Sequence, residues 1–173
     1  MSYISIDIES DNSCPANGSM VCFGAVLVKD MTKTFYGKTK PIMDIWNPEN
    51  LAISGFSREE HEQFDDPKEV MENFEKWILE VSDGKPIFIS DNNGFDWQWI
   101  NYYFWKYLNR NPFGYSCRRI GDLYCGMVMD TSKNSEWKRK FRKTKHTHSP
   151  IDDARGNAES LIEMQKLGLK IKF

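Results

Sequence analysis

Residues 3–9 alternate without a break, with Ile4, Ile6 and Ile8 on one side and Tyr3, Ser5, Asp7 and Glu9 on the other. A period of two is the pattern of a β-strand with one face committed to a core. Side chains two apart leave the same face, so Asp7 and Glu9 share one site while the isoleucine between them enters the interior. An edge strand showing polar residues to water has the same pattern, so the pair gains meaning only from the rest of the chain.

That remainder reads as alternating elements. Residues 20–28 (MVCFGAVLV) are apolar and β-branched and residues 33–42 alternate again, which predicts an antiparallel three-strand meander with turns at 12–18 and 29–32. After a loop over 47–55, residues 67–81 place Val70, Phe74, Trp77, Ile78 and Val81 on one helical face. Residues 86–90 (PIFIS) read as a buried strand, and 95–108 as a helix with too many aromatics for a single apolar stripe. A short strand is expected over 118–123, and a long surface loop with room for one helical turn over 130–147. A final helix is expected over 150–167. Strands followed by alternating helices and strands make an α/β domain with a mixed sheet, and 173 residues suit a single domain, 1–173.

The formal net charge is -2, so affinity for a polyanion has to come from a local basic patch and bound cations. No run of about 18 apolar residues suggests a membrane span, and MSYISIDIES lacks the layout of a signal peptide, so a cytoplasmic protein is expected. Cys14, Cys22, Cys117 and Cys125 are too far apart for the close pairs of a zinc site and are expected as free thiols.

Two further acids stand at helix starts. Asp96 follows the 86–90 strand at its junction with the aromatic helix, a position where ligands bind in open α/β sheets and where negative charge also suits the helix dipole. Asp91 competes with it for the same site. In the segment His148-Ser149-Pro150-Ile151-Asp152-Asp153, Ser149 as N-cap, Pro150 at the first helical position and Asp152 at the third form a capping arrangement. Asp153 is left without a local task, and His148 stands just before the cap.

These motifs resemble those of the DEDDh exonucleases, the DnaQ-like branch of the RNase H-like fold. The matching pieces are Asp7-Ile8-Glu9, Phe95-Asp96 with Asn92 four residues before it, and His148 with Asp153 five residues later. Weaker matches are Phe23-Gly24-Ala25-Val26, Ala52-Ile53-Ser54-Gly55-Phe56-Ser57 and Ile120-Gly121-Asp122-Leu123. The chain departs from the common pattern at Ser10, where threonine is frequent, and at Pro150, where a small residue is usual.

The resemblance implies an RNase H-like fold with a mixed five-stranded sheet flanked by helices, and 3′-to-5′ exonuclease activity. It implies Asp7, Glu9, Asp96 and Asp153 as metal ligands and His148 as general base. Four carboxylates at one place make sense only with cations between them. Oxygen donors at a hydrated site favour Mg²⁺ or Mn²⁺, two ions about 3.5–4 Å apart clamping the scissile phosphate. The expected partner is the 3′ end of a single strand or short overhang, RNA slightly favoured over DNA by analogy with small stand-alone members. Nucleoside 5′-monophosphates would be released. A homodimer is possible. The alternatives are a catalytically silent binding module of the same fold and an RNase H-like endonuclease, which has no need of a histidine at this spacing.

Substrate contacts are expected from Ser10 beside the first motif, from Ile53 and Phe56 in the loop, and from Asn92. The run Lys138, Arg139, Lys140, Arg142, Lys143 and Lys145 either guides phosphates, with Arg142 and Lys143 foremost, or is only a solvated loop. Most aromatics of the 95–108 helix are expected in the core, with Trp97 beside Asp96 the one to stack on substrate. His61 and His146 are expected on the surface.

Overall fold

The computed structural model describes residues 1–173. Three strands, β1 (Ser2–Ser10), β2 (Met20–Leu27) and β3 (Thr34–Lys38), form the antiparallel meander that the alternation predicts. Two more, β4 (Pro86–Ser90) and β5 (Cys117–Arg119), add in parallel on the other side of β1, giving the order β3-β2-β1-β4-β5. The strand carrying Asp7 and Glu9 is therefore central, with partners on both sides. An edge strand displaying polar groups to water does not describe it.

Both faces of the sheet are covered. Ile4, Ile6 and Ile8, with Phe23 and Ala25 opposite them, pack against α3 (Pro67–Val81) and α4 (Asn93–Leu108) through Phe74, Ile78, Trp99 and Phe104. On the other face Tyr3, Val26 and Ile89 meet Ala154, Ala158, Leu161 and Met164 of the last helix, Pro150–Lys166. Burying apolar area on both sides at about 25 cal/mol per Å² makes this three-layer arrangement the stable one. No helix is long and apolar enough to cross a membrane. All four cysteines are free.

Several connections carry more structure than their composition suggests. Within 47–55 a helix, α1 (Pro48–Ile53), starts where the Asn47 side chain accepts the N–H of Glu49 at 2.8 Å, with proline at the first turn. A second short helix, α2 (Arg58–Glu62), follows under a Ser57–Glu60 capping box. The strand expected over 118–123 ends at Arg119, and α5 (Ile120–Val128) takes over, with Ile120 and Tyr124 buried on its inner side. Inside 130–147 lie a 3-10 turn (Thr131–Lys133) and α6 (Glu136–Phe141). Trp137 anchors this segment, fully buried, its indole N–H donating to the Asn134 carbonyl at 2.9 Å. One large aromatic supplies enough burial to order a polar stretch. The final helix is α7.

His61 is fully buried on α2, not on the surface. It sits 3.9 Å from the Asp11 carboxylate, with Arg58 binding the same acid, and burial pushes its pKa down to about 4. The folded chain thus holds His61 neutral at pH values where the unfolded chain, near the ordinary 6.5, takes a proton. The sign follows: stability is lost as pH falls from 6.5 towards 4, by at most about 3 kcal/mol from this group. Urea midpoints between pH 7 and pH 5 are expected to fall less steeply for His61→Phe than for the wild type. Equal slopes would show that His61 is not the group responsible.

Candidate active site

At the end of β1, Asp7 lies opposite Gly24 and Glu9 opposite Cys22 of β2, and the register shifts between Glu9 and Ser10. Gly24 is what brings the third acid near. A side chain there would meet the backbone of Pro150 and Ile151 at 2.4 to 2.6 Å, so the first turn of α7 rests directly on the sheet beside Asp7. Asp96 enters from the other flank, buried in the first turn of α4 just beyond β4. Three separate elements therefore converge at the end of one central strand.

A cavity of about 620 Å³ opens over them. Asp7, Glu9, Asp96 and His148 line it, together with Ser10, Ile53 and Asn92 from the expected substrate set. Lys138, the first of the basic run, also faces it, as do Ser13, Asn50 and Arg119, which were not singled out from the sequence, since lone polar residues in loops and short elements carry no pattern.

Asp153 carries the densest contacts. Its carboxylate accepts from the N–H groups of His148 at 3.1 Å and Thr147 at 3.4 Å, is ion-paired with Arg142, and lies 2.7 Å from His146 Nδ1. The expected Ser149–Asp152 capping arrangement is absent: Ser149 stands at the N-cap but its hydroxyl caps nothing. Asp153 instead reaches back to the main chain before the helix, where His148 adopts a left-handed φ of 59°. That turn points the imidazole back over the strand, its Nδ1 3.6 Å from Glu9 Oε1. His146 is exposed, as expected, and it also borders the cavity, its ring 4.6 Å from that of His148.

The electrostatics are those of crowded acids. Asp7 is raised well above the carboxylate range, first by burial and then by the charges of Asp96, Asp153 and Glu9, with Arg142 acting the other way. Burial, then Asp153, lifts Glu9 to about 7. Burial first, with Asp91 and Glu9 adding to it, lifts Asp96 to about 8. As the side chains stand, with Asp153 turned to Arg142 and His146, no three His, Cys, Asp or Glu groups close on one point as a bound ion requires. Asp91, the competitor of Asp96, is taken by an ion pair with Lys138.

Four expected substrate residues lie elsewhere. Trp97 packs edge-on to Phe88, ring centroids 5.1 Å apart, on the core side of α4. Phe56 is set against Phe64 at 4.9 Å and does not line the cavity. Arg142 is engaged with Asp153 and Lys143 with Glu163, so both are ion-paired within the chain.

No protein-family model matches the chain. Across 99% of its length it is 33% identical to the 3′-5′ DNA exonuclease Cap18 of Escherichia coli, of which 95% is covered. The chain belongs to the DEDDh 3′-to-5′ exonucleases. The nuclease domain of 3′hExo, a DEDDh family member solved with rAMP, shares the fold at a TM-score of 0.76 and 14% identity, over 99% of this chain and 94% of that one. Escherichia coli exonuclease I, in a zinc-bound complex with single-stranded DNA, aligns at 0.73 and 15% identity, over 97% of this chain and 41% of that one.

Gly24→Ala tests whether close approach of α7 sets the activity. The added methyl has only backbone to displace, so a loss of about 1–3 kcal/mol is expected, along with a fall of about a hundredfold in exonuclease rate as Asp153 and His148 move off the strand. Thermal melting and a rate assay on the folded variant would check this. A variant with full activity would refute it.

Proposed function

We propose that this exonuclease removes nucleotides one at a time from the 3′ end of single-stranded DNA and releases nucleoside 5′-monophosphates. The reading rests on one observation: Asp7, Glu9, Asp96 and His148 line one cavity at the end of a central strand, with Asp153 near enough for its charge to raise Asp7 and Glu9. DNA is preferred over the RNA suggested by analogy because the relative similar over the whole chain is a DNA exonuclease.

The acids fit divalent cations. Asp7 is raised by burial and then by three neighbouring carboxylates, and Asp96 Oδ2 is buried with no hydrogen-bond partner. In this reading Asp7, Glu9, Asp96 and Asp153 hold two ions, Mg²⁺ or Mn²⁺ by the preference of oxygen donors. Such ions supply charge neutralisation of the phosphate and acidification of a bound water. His148, half-exposed and 3.6 Å from Glu9, takes the proton of the attacking water. Asp153 places that histidine by accepting its main-chain N–H, and Ile53 at the cavity wall meets the terminal base. Ser10 and Asn92 border the terminal nucleotide.

Matched DNA and RNA strands labelled at the 5′ end, offered with Mg²⁺ or Mn²⁺, are expected to yield a ladder shortened from the 3′ end, faster on DNA and abolished by a chelator. His148→Ala is expected to lower the rate by about 10²–10⁴. Internal cuts, or a His148→Ala variant as fast as the wild type, would refute the reading. Asp7→Asn is expected to be inactive yet more stable than the wild type in chelator, by about 0.5–2 kcal/mol, because the cost of burying that carboxyl, as a charge or by taking up a proton, is gone. An unchanged melting temperature would show that its burial carries no such cost.

A further inference from the structure

The cavity over the acids does not end at His146. Asp91, Lys138 and His146 line it and also line a second cavity of about 370 Å³, completed by Arg139, Arg142, Lys143, Thr144 and Lys145. Five cations face one carboxylate there. Three of the five are ion-paired: Lys138 with Asp91, Arg142 with Asp153, and Lys143 with Glu163, which it shares with Lys166. Arg139 and Lys145 have no acid partner.

This wall is built, unlike a solvated charge run. The N–H groups of Lys143 and Thr144 donate to Glu159 Oε2 at 2.9 and 2.8 Å, and the Thr144 hydroxyl donates to Oε1 at 2.9 Å. Gly156 makes the notch for the Arg142 side chain, which a methyl there would meet at 2.3 Å. Residues of one side of α7 thus hold the segment that leads to Lys145, and Arg139 stands just before it on α6.

We propose that this groove carries the backbone of the strand on the 5′ side of the terminal nucleotide, with Arg139 and Lys145 as its free phosphate contacts. The inference rests on the 3′-exonuclease reading above. A strand whose last linkage lies at the acids has further phosphates to place. The acids repel them, and the side of the cavity at Ser13, Asn50 and Ile53 carries no cation, so the backbone leaves where cations are in excess. At the junction, Lys138 neutralises the carboxylate, Asp91, that would otherwise turn a phosphate away. Binding is then stronger for strands long enough to enter the groove, and it weakens with salt.

The test compares the wild type with Arg139→Ala, Lys145→Ala and the double variant, with Lys68→Ala on α3 as a distant charge control. Dissociation constants for a twelve-nucleotide DNA strand with phosphorothioate 3′ linkages are measured over a salt series, beside the KM of a dinucleotide. Each single variant is expected to weaken long-strand binding about three- to tenfold, and the double variant to flatten the salt slope by about 1.4, two contacts at about 0.7 each. A smaller change is expected on the dinucleotide, and none with Lys68→Ala. A double variant with wild-type affinity and slope would overturn the groove while a 3′ ladder left the exonuclease reading standing. Equal losses on both substrates would also overturn it, placing the cations in the cleavage site. A wild type that yields no 3′ ladder would bring down the exonuclease reading and the groove with it.

Discussion

The site depends on one close approach, the backbone of the first turn of α7 lying on β2 at Gly24. Gly24 is paired with Asp7 across the sheet, so the same residue that admits the helix also sets its distance from the first acid. No side chain could occupy that position without lifting Pro150 and Ile151, and with them His148 and Asp153. Ala154, Ala158 and Leu161 then bury the rest of the helix against the sheet. Rigidity of this kind is what holding several groups for one reaction requires.

The second constraint is electrostatic. Carboxylates brought together from three elements repel one another, and their raised proton affinities record first their burial and then that repulsion. The chain offsets part of it with its own groups: Arg142, His146 and two main-chain N–H groups all face Asp153. Arg142 is in turn held through the Glu159 clamp and the Gly156 notch. The end of α6 and the polar segment between it and α7 therefore have a defined position, and the basic residues left unpaired there, Arg139 and Lys145, are the ones free to meet a partner.

Much of this was legible in one dimension. The alternation at 3–9, the helical face at 67–81 and the strand at 86–90 correspond to β1, α3 and β4 because each pattern reports a single, well-buried face. The elements missed were those whose order comes from one contact rather than from a period. Trp137 pins α6 inside a polar stretch, and an Asn-Pro start makes a helix within a loop. His61 looked exposed because its neighbours are acidic, whereas a five-residue helix can turn one polar residue entirely inward.

The sequence by itself determined the strand that presents Asp7 and Glu9 together, the spacing of His148 to Asp153 and the order of the elements. Periodicity and short-range spacing are local properties of a backbone with only a few allowed states. Only the tertiary structure decided that Asp96 is buried next to Asp7 while Asp91, on the same cavity, pairs with Lys138, that Trp97 turns into the core, and that Arg142 and Lys143 have acid partners within the chain while Arg139 and Lys145 do not. Each of those outcomes depends on which distant side chain arrives next to a residue, and that is set by packing between layers, not by the residue's neighbours along the chain.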